Sequence, residues 1–542
     1  MCTTILVTKG ATKGGSTFVS HSDDNDMVDQ RMVYVPAMNH APNSKRAVYK
    51  CITNYPRVVS DQLGPGYNTS SETSELLGYI PQVEHTYAYF DGNYGIMNEH
   101  QLAMGECKDA VEKYKSKPTK GSRLFYSSSF SRVALERCKT AREAIQLMGS
   151  LIEVFGYYDT GETLLVADKE EGWVFEMCAT EDQRDLWVAK RVPEGEVYVA
   201  ANEFRIREIN PESDDFICCS NLWSACKNLG WYDPSKGRLD WCKTVSFGEY
   251  NHPYYSLRRV WSFFNRVNPS LNLSPWVEDG YTKAYPFSIK PEQLLDLQSV
   301  KKLHRDQHQG TEFDMTKGLA SGPYGNPNRY YNYNNDGSIK NAPQPGKDLT
   351  GAFERPVSVY YCGYSFINHI RPNLPDAIGG ICWFGPDQPI STCYVPFYVG
   401  VNSLPQSYQE IDPSVYDPSK AFLKMNFVAN WAILNYGLMI KDIKAKQSEL
   451  EAFQSAKLVE MDKLALASHQ AKDGRTNKLL TEFCHSNAEY VLNEWGNISG
   501  YLIQNYASGF INNPTIAQEV GYSEKWRSEV GYANGPKSYT KH

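Results

Sequence analysis

Residues 2–24 read CTTILVTKGATKGGSTFVSHSDD. From Thr3 to Thr8 the side chains are apolar or β-branched, a composition that suits a buried, pleated surface. Gly10 to Gly15 is a glycine-rich turn cluster, and an extended pattern resumes from Thr17 to Ser20. Strand, turn and strand in so short a space predict a β-hairpin at the start of the chain. The second arm runs into His21, Ser22, Asp23 and Asp24, so folding the hairpin returns Asp24 towards Cys2.

Working outward, strand-like runs recur at 31–36, 85–90, 94–97, 163–167, 173–177, 186–190 and 196–201. Between them, 140–155 places Ala141, Ala144, Ile145, Leu147, Met148, Leu151 and Ile152 at helical spacing. Strands, a helix and more strands without βαβ alternation predict an antiparallel α+β layered fold. Residues 322–346 are rich in Asn, Tyr, Pro and Gly and read as a long surface loop. Strands return at 358–361, 380–384 and 391–398. The helical patterns of 430–468 and 477–506, separated by Lys472-Asp473-Gly474, predict an antiparallel helix pair. This divides the chain into a layered domain over 1–425 and a C-terminal helical region over 426–542 that packs on it.

Composition excludes several classes. Acidic residues number 62 and basic residues 55, giving a net charge of −7 with no basic run, so nucleic acid is not an expected partner. Hydrophobic residues make up 41 % of the chain and aromatics 13 %, enough for a large core. The longest nearly apolar stretch, 427–440, is interrupted by Asn430, Asn435 and Gly437. It is too short and polar to span a bilayer, which needs roughly 20 apolar residues, so no membrane role is expected. The opening residues show neither a basic n-region nor a small-residue cleavage site. A cytoplasmic protein is expected, or an exported one if the start Met replaces a removed signal peptide. The 13 cysteines show no CxxC pair and no framework spacing, which gives a structural zinc site little support.

Three motifs bear on chemistry. Gly10-Ala-Thr-Lys-Gly-Gly-Ser16 has some phosphate-loop character, but a strand follows where a helix is needed, so a hairpin turn is the better reading. His304 and His308 sit four apart, as metal ligands on a helix do, but lack the glutamate of HExxH. Cys2 is the sharpest feature. Removal of Met1 would give one residue both a thiol and a free α-amine, the latter titrating near ~7.7–8.0. Nucleophile and proton acceptor would then be supplied together.

These residues resemble peptidase family C69, cysteine dipeptidases of the N-terminal-nucleophile (Ntn) hydrolase superfamily. The resemblance starts with Cys2-Thr-Thr-Ile-Leu-Val7, Gly14-Gly-Ser-Thr17 and the Asp-containing strand end. It continues through Gly95-Ile-Met-Asn98-Glu99-His100, Glu171-Gly-Trp-Val-Phe-Glu176, Ala201-Asn202-Glu203-Phe-Arg205-Ile206 and Arg258-Arg259-Val-Trp261. Arg305-Asp306, Gly310-Thr311, Asp314, Trp383-Phe-Gly385 and Tyr394-Val-Pro396 follow in order. The resemblance implies an αββα four-layer sandwich of two antiparallel sheets, and dipeptide hydrolysis through a thioester with no metal or organic cofactor. It implies Cys2 as nucleophile with its own amine as base, and Asp24 as the group that orients that terminus. Asn202 would contact the oxyanion or substrate amide, and Arg259 would support the centre electrostatically. His21, Asn98 and Arg258 are expected to bind substrate.

Small peptides are the expected partners, with homo-oligomer formation left open. A dipeptide carries two charges, so Asp23, Glu99 or Glu203 is expected to meet its ammonium and Arg258 or Arg205 its carboxylate. Several relatives carry arginine where this chain has His21. A histidine lowers a neighbouring thiol's pKa only when protonated, so activity is expected to fall as pH rises through the His21 pKa. Two other readings keep the fold: an N-acyl amide hydrolase of the bile-salt or penicillin V type, and a non-catalytic binding protein that retains Met1.

Overall fold

Strands Cys2–Val7 and Thr17–Asp23 are buried at every position. A strand covered on both faces reads as an unbroken run of small and apolar residues, as residues 2–7 do. The two strands pair antiparallel from Cys2 opposite Asp23 to Val7 opposite Phe18. Between them, Gly15 adopts a φ of 65°, the left-handed conformation that glycine reaches at little cost. The computed structural model describes residues 2–25, 29–52, 54–60, 62–67, 73–109, 113–182, 185–246, 248–249, 254–277, 285–330, 353–412, 414–512 and 515–536.

The hairpin lies inside a six-stranded sheet. Its order is Val197–Ala200, Cys2–Val7, Thr17–Asp23, Tyr364–Ile370, Gly380–Pro386 and Val395–Tyr398. An eight-stranded sheet faces it, running from Phe216–Cys218 through Leu186–Arg191, Gly172–Cys178, Gly161–Ala167 and Ala103–Asp109 to Gly95–Asn98, Tyr89–Asp91 and Val33–Val35. The pairings in both sheets are antiparallel. The sheets come close at the first strand, where two glycines make room. A Cβ on Gly105 would lie 2.5 Å from Thr4 Oγ1, and one on Gly172 would lie 2.7 Å from Leu6 Cδ2.

Helices close both outer faces. Ser127–Arg137 and Ala141–Phe155 pack on the eight-stranded sheet, and Thr140 caps the second in a capping box with Glu143. Leu297–His304, Ala421–Ala432, Tyr436–Ala471 and Thr476–Asn505 cover the six-stranded sheet. This is the αββα sandwich that the family resemblance implies, and it fits the antiparallel α+β layering read from the sequence, with the antiparallel helix pair at its end. Lys472 and Gly474 take φ of 52° and 74° in the break between the two long helices. Residues 425 and 426 both lie inside helix Ala421–Ala432. Buried Glu451 anchors the long helix, pairing with Lys301 at 3.3 Å and Arg305 at 2.5 Å. Among the described residues, no helix is long and apolar enough to cross a membrane.

Some elements differ from expectation. Residues 358–361 form no strand. Their place is taken by Tyr364–Ile370, while Ser358 N–H donates to the Asp306 carbonyl in a buried loop. Ala103–Asp109 is a seven-residue strand that the sequence reading missed. Its sequence, AMGECKD, has no β-branched residue, and pairing with Gly161–Ala167 overrides that poor propensity. Of the expected loop over 322–346, the part from 331 lies outside the described residues.

Candidate active site

Cys2 is the first residue of its strand and is 2 % exposed. Its side chain shares a face with Thr4 and Leu6, so it enters the space between the sheets. His21 and Asp23 stand on the adjacent strand, and Glu106 comes from the facing sheet. Ligating atoms of Cys2, His21 and Glu106 lie within 4.8 Å of one another.

Arg259, from helix Leu257–Val267, fixes the backbone at this point. Its Nη1 donates to the Cys2 carbonyl at 2.9 Å and to Thr3 Oγ1 at 3.0 Å. Its Nη2 donates to the Ala201 carbonyl at 3.0 Å and to Asn202 Oδ1 at 2.9 Å, and Nε reaches the Tyr255 carbonyl at 3.2 Å. All five guanidinium hydrogens thus have acceptors. Asn202 follows strand Val197–Ala200 with a φ of 66°, a region asparagine tolerates better than most residues. Its Oδ1 faces the guanidinium and its Nδ2 donates to the Lys108 carbonyl at 2.7 Å, so the amide orientation is self-consistent. One Nδ2 hydrogen is left over from that bond. The Asn202 N–H points at Cys107 Sγ, 2.7 Å away.

Two aspartates end the hairpin with different partners. Asp24 Oδ2 accepts from Arg355 Nη2 at 2.6 Å and from Ser22 Oγ at 3.2 Å. Asp23 Oδ2 accepts from Asn93 Nδ2 at 2.6 Å, and the Asn93 N–H donates to Tyr364 Oη at 2.8 Å. Burial pushes the Asp23 carboxyl up from its ordinary range.

The electrostatics are those of a dry site. Burial, and then the Glu106 carboxyl, push the Cys2 thiol well above its ordinary value. Glu106 lies beside Glu162, and burial raises both carboxyls, Glu162 well above the usual range. His21 is fully buried, its Nδ1 2.7 Å from the Glu106 carbonyl oxygen. Burial lowers its pKa to about 4. The imidazole is therefore neutral at physiological pH, and the expected fall in activity through a near-neutral His21 titration has no basis in this geometry.

The structure brings Cys2, His21, Asp24, Asn202 and Arg259 together, and Asp23 with them. Asn98 is elsewhere. Its Nδ2 donates to the Leu135 and Cys138 carbonyls at 2.9 and 2.8 Å, and its Oδ1 accepts from the His100 and Leu102 N–H groups. It thereby ties a strand turn to the end of helix Ser127–Arg137. Glu99 Oε1 likewise accepts from the Ala88 N–H. Arg258 points away from Arg259 on the same helix. It stacks 3.6 Å from the centre of the Phe313 ring, near Trp276 and Tyr254, and pairs with Glu354 at 3.2 Å. Arg205 donates to the Pro286 carbonyl at 2.6 Å and lies 3.5 Å from Glu203. Sequence reasoning missed Glu106, Cys107, Asn93 and Arg355. The one available signal was a glutamate between Gly105 and Cys107 in a segment that reads as neither strand nor helix.

His304 ends its helix and bonds Ser20 Oγ at 2.8 Å, while His308 sits beyond it with a φ of 59°. The pair does not share a helical face. Among the described residues, the trio of His, Cys, Asp or Glu side chains that converges as metal ligands do is Cys2, His21 and Glu106.

The sequence profile of "Peptidase family C69" matches residues 1–449. The chain is 29 % identical over 272 residues to a "Probable dipeptidase" of Salmonella dublin, covering 50 % of this chain and 54 % of that relative, about half its length. It is 24 % identical over 433 residues to a "Probable dipeptidase" of Latilactobacillus sakei, covering 78 % of each. It is 23 % identical over 466 residues to "Probable dipeptidase B" of Lactococcus lactis subsp. lactis, covering 81 % of this chain and 82 % of that relative.

Proposed function

Because the chain belongs to peptidase family C69 and is thus a peptidase, we propose that it hydrolyses dipeptides with Cys2 as an amino-terminal nucleophile once Met1 has been removed. The dipeptidase names of its relatives support the substrate class. Burial keeps the resting thiol protonated, so sulfur needs a base at hand, and the Cys2 amine is that base. The amine takes the thiol proton, and the sulfur attacks the scissile carbonyl. The oxyanion then draws on donors such as the remaining Asn202 Nδ2 hydrogen, each worth ~3–4 kcal/mol in comparable sites. The ammonium returns its proton to the leaving amine, which departs as the thioester forms. Water, deprotonated by the same amine, cleaves the thioester and restores the thiol.

In this reading Asp23 and Asp24 supply the negative charge near the terminus, and Arg259 acts as a positioning residue. The observation that carries it is the clamp on Cys2, whose carbonyl is held at 2.9 Å by Arg259 while the side chain enters the interlayer space.

The test uses protein whose N-terminus is verified by intact mass. Cys2→Ala should lower kcat on free dipeptides by more than about 1,000-fold, and undiminished turnover refutes the assignment. Equal rates on a dipeptide and its N-acetyl form would move the reading to N-acyl amide hydrolysis.

A further inference from the structure

Cys2, His21 and Glu106 are all buried, and a ligand atom from each lies within 4.8 Å of the other two. A second observation points the same way. His21 Nε2, on a fully buried ring, has no hydrogen-bond partner. Buried polar atoms are nearly always satisfied, and an orphaned group calls for an explanation, an ion among the choices. The ring is also held in place: His21 Nδ1 lies 2.7 Å from the Glu106 carbonyl oxygen and 3.3 Å from the Glu106 backbone nitrogen, a backbone support of the kind that orients metal-ligating histidines. Thiolate, imidazole and carboxylate together form a donor set for zinc.

We propose that Cys2, His21 and Glu106 form an inhibitory site for a thiophilic divalent cation such as Zn2+, which caps the nucleophile. Binding forms S–Zn, N–Zn and O–Zn contacts and releases the thiol proton and any Glu106 proton to solvent, so affinity rises with pH. After removal of Met1 the Cys2 amine adds a fourth ligand and closes a chelate ring with the sulfur. That fourth contact rests on the function proposed above; the other three do not.

Cobalt(II) titration of the full, trimmed chain tests this, since thiolate coordination gives a charge-transfer band in the near ultraviolet. One equivalent of Co2+ should raise the band, Zn2+ should abolish it, and Cys2→Ala should lack it. His21→Gln and Glu106→Gln should each weaken Zn2+ binding by at least about 10-fold, the least that losing even an outer partner costs. His21→Arg, which puts a fixed positive charge at the site, should abolish binding. A missing band, a band that survives in Cys2→Ala, or wild-type Zn2+ affinity in both glutamine variants overturns the proposal. If a glutamine variant melts early, the wild-type and Cys2→Ala spectra decide alone. Dipeptide turnover without a cobalt band sinks this inference and leaves the peptidase mechanism standing; a band without turnover does the reverse.

Discussion

Arg259 bonds five acceptors, one each on Cys2, Thr3, Ala201, Asn202 and Tyr255, and each of its guanidinium hydrogens is used. Lysine brings three hydrogens on a point charge and cannot span the Cys2 and Asn202 sides together. Arg259→Lys should lower kcat at least about 100-fold with a smaller change in KM, and lower the melting temperature, each lost charged hydrogen bond being worth ~1.5–3 kcal/mol. Steady-state kinetics and a thermal melt on the same preparation check both. Asn202 separates two roles in one residue. Because its φ is 66°, Asn202→Gly keeps the backbone conformation at no steric cost while removing the amide. Turnover should fall about 100-fold, as for other single oxyanion donors, while the melting temperature moves less than in Asn202→Ala. A kinetic loss seen only in the alanine variant would assign the residue to backbone shape alone.

At the scale of elements, strand Gly380–Pro386 ends beside Asp387, a buried carboxyl with a φ of 67° whose Oδ1 accepts from Asn426. Burial pushes its pKa up to about 7. The folded state therefore binds this proton more tightly than the unfolded chain, whose aspartates titrate near ~3.9. Stability from this group is full below the unfolded value and is lost as pH rises to about 7. Asp387→Asn suits the left-handed conformation and cannot ionise. It should stabilise the fold at pH 8 by on the order of 2–4 kcal/mol, seen as a higher melting temperature, and change it little at pH 4. Melting curves across that range check it.

The strands themselves show what the sequence makes legible. Cys2–Val7 and Gly161–Ala167 announce themselves through their apolar and β-branched runs, Ile5–Val7 and Leu164–Ala167, as covered strands do. Ala103–Asp109 does not, because its Gly105, Glu106 and Cys107 answer to neighbours distant in the chain. Gly105 is there to admit Thr4, a reason that exists only after the sheets have met. Asp24 could be read from the hairpin, whereas its partner Arg355 lies 331 residues away. Asn98 and Arg258 sit in stretches that match the family, but matching residues also serve turns and aromatic stacks.

Over the whole molecule, the C-terminal helices join the sandwich through buried charge. Glu451 meets Lys301 and Arg305 and accepts from the Tyr394 N–H. Glu451→Gln leaves two cations without their counter-charge, which should cost ~3–5 kcal/mol. Adding Lys301→Met, which removes one of those charges, should recover part of the loss in a double-mutant cycle read by thermal denaturation. Additive effects would mean that the ion pair contributes nothing to this junction. The opening hairpin has a consequence of another kind. Its residues alternate between the interlayer space and the helical side with a period of two. One amino acid inserted inside the first arm would swing the sulfhydryl out of its chamber and carry Thr3 into it, and one inside the second would turn His21 or Asp23 away from it. The same insertion at the Gly14-Gly15 bend would leave the phase of both arms intact, so length changes between orthologous genes should collect at that bend and nowhere else in the first two dozen codons.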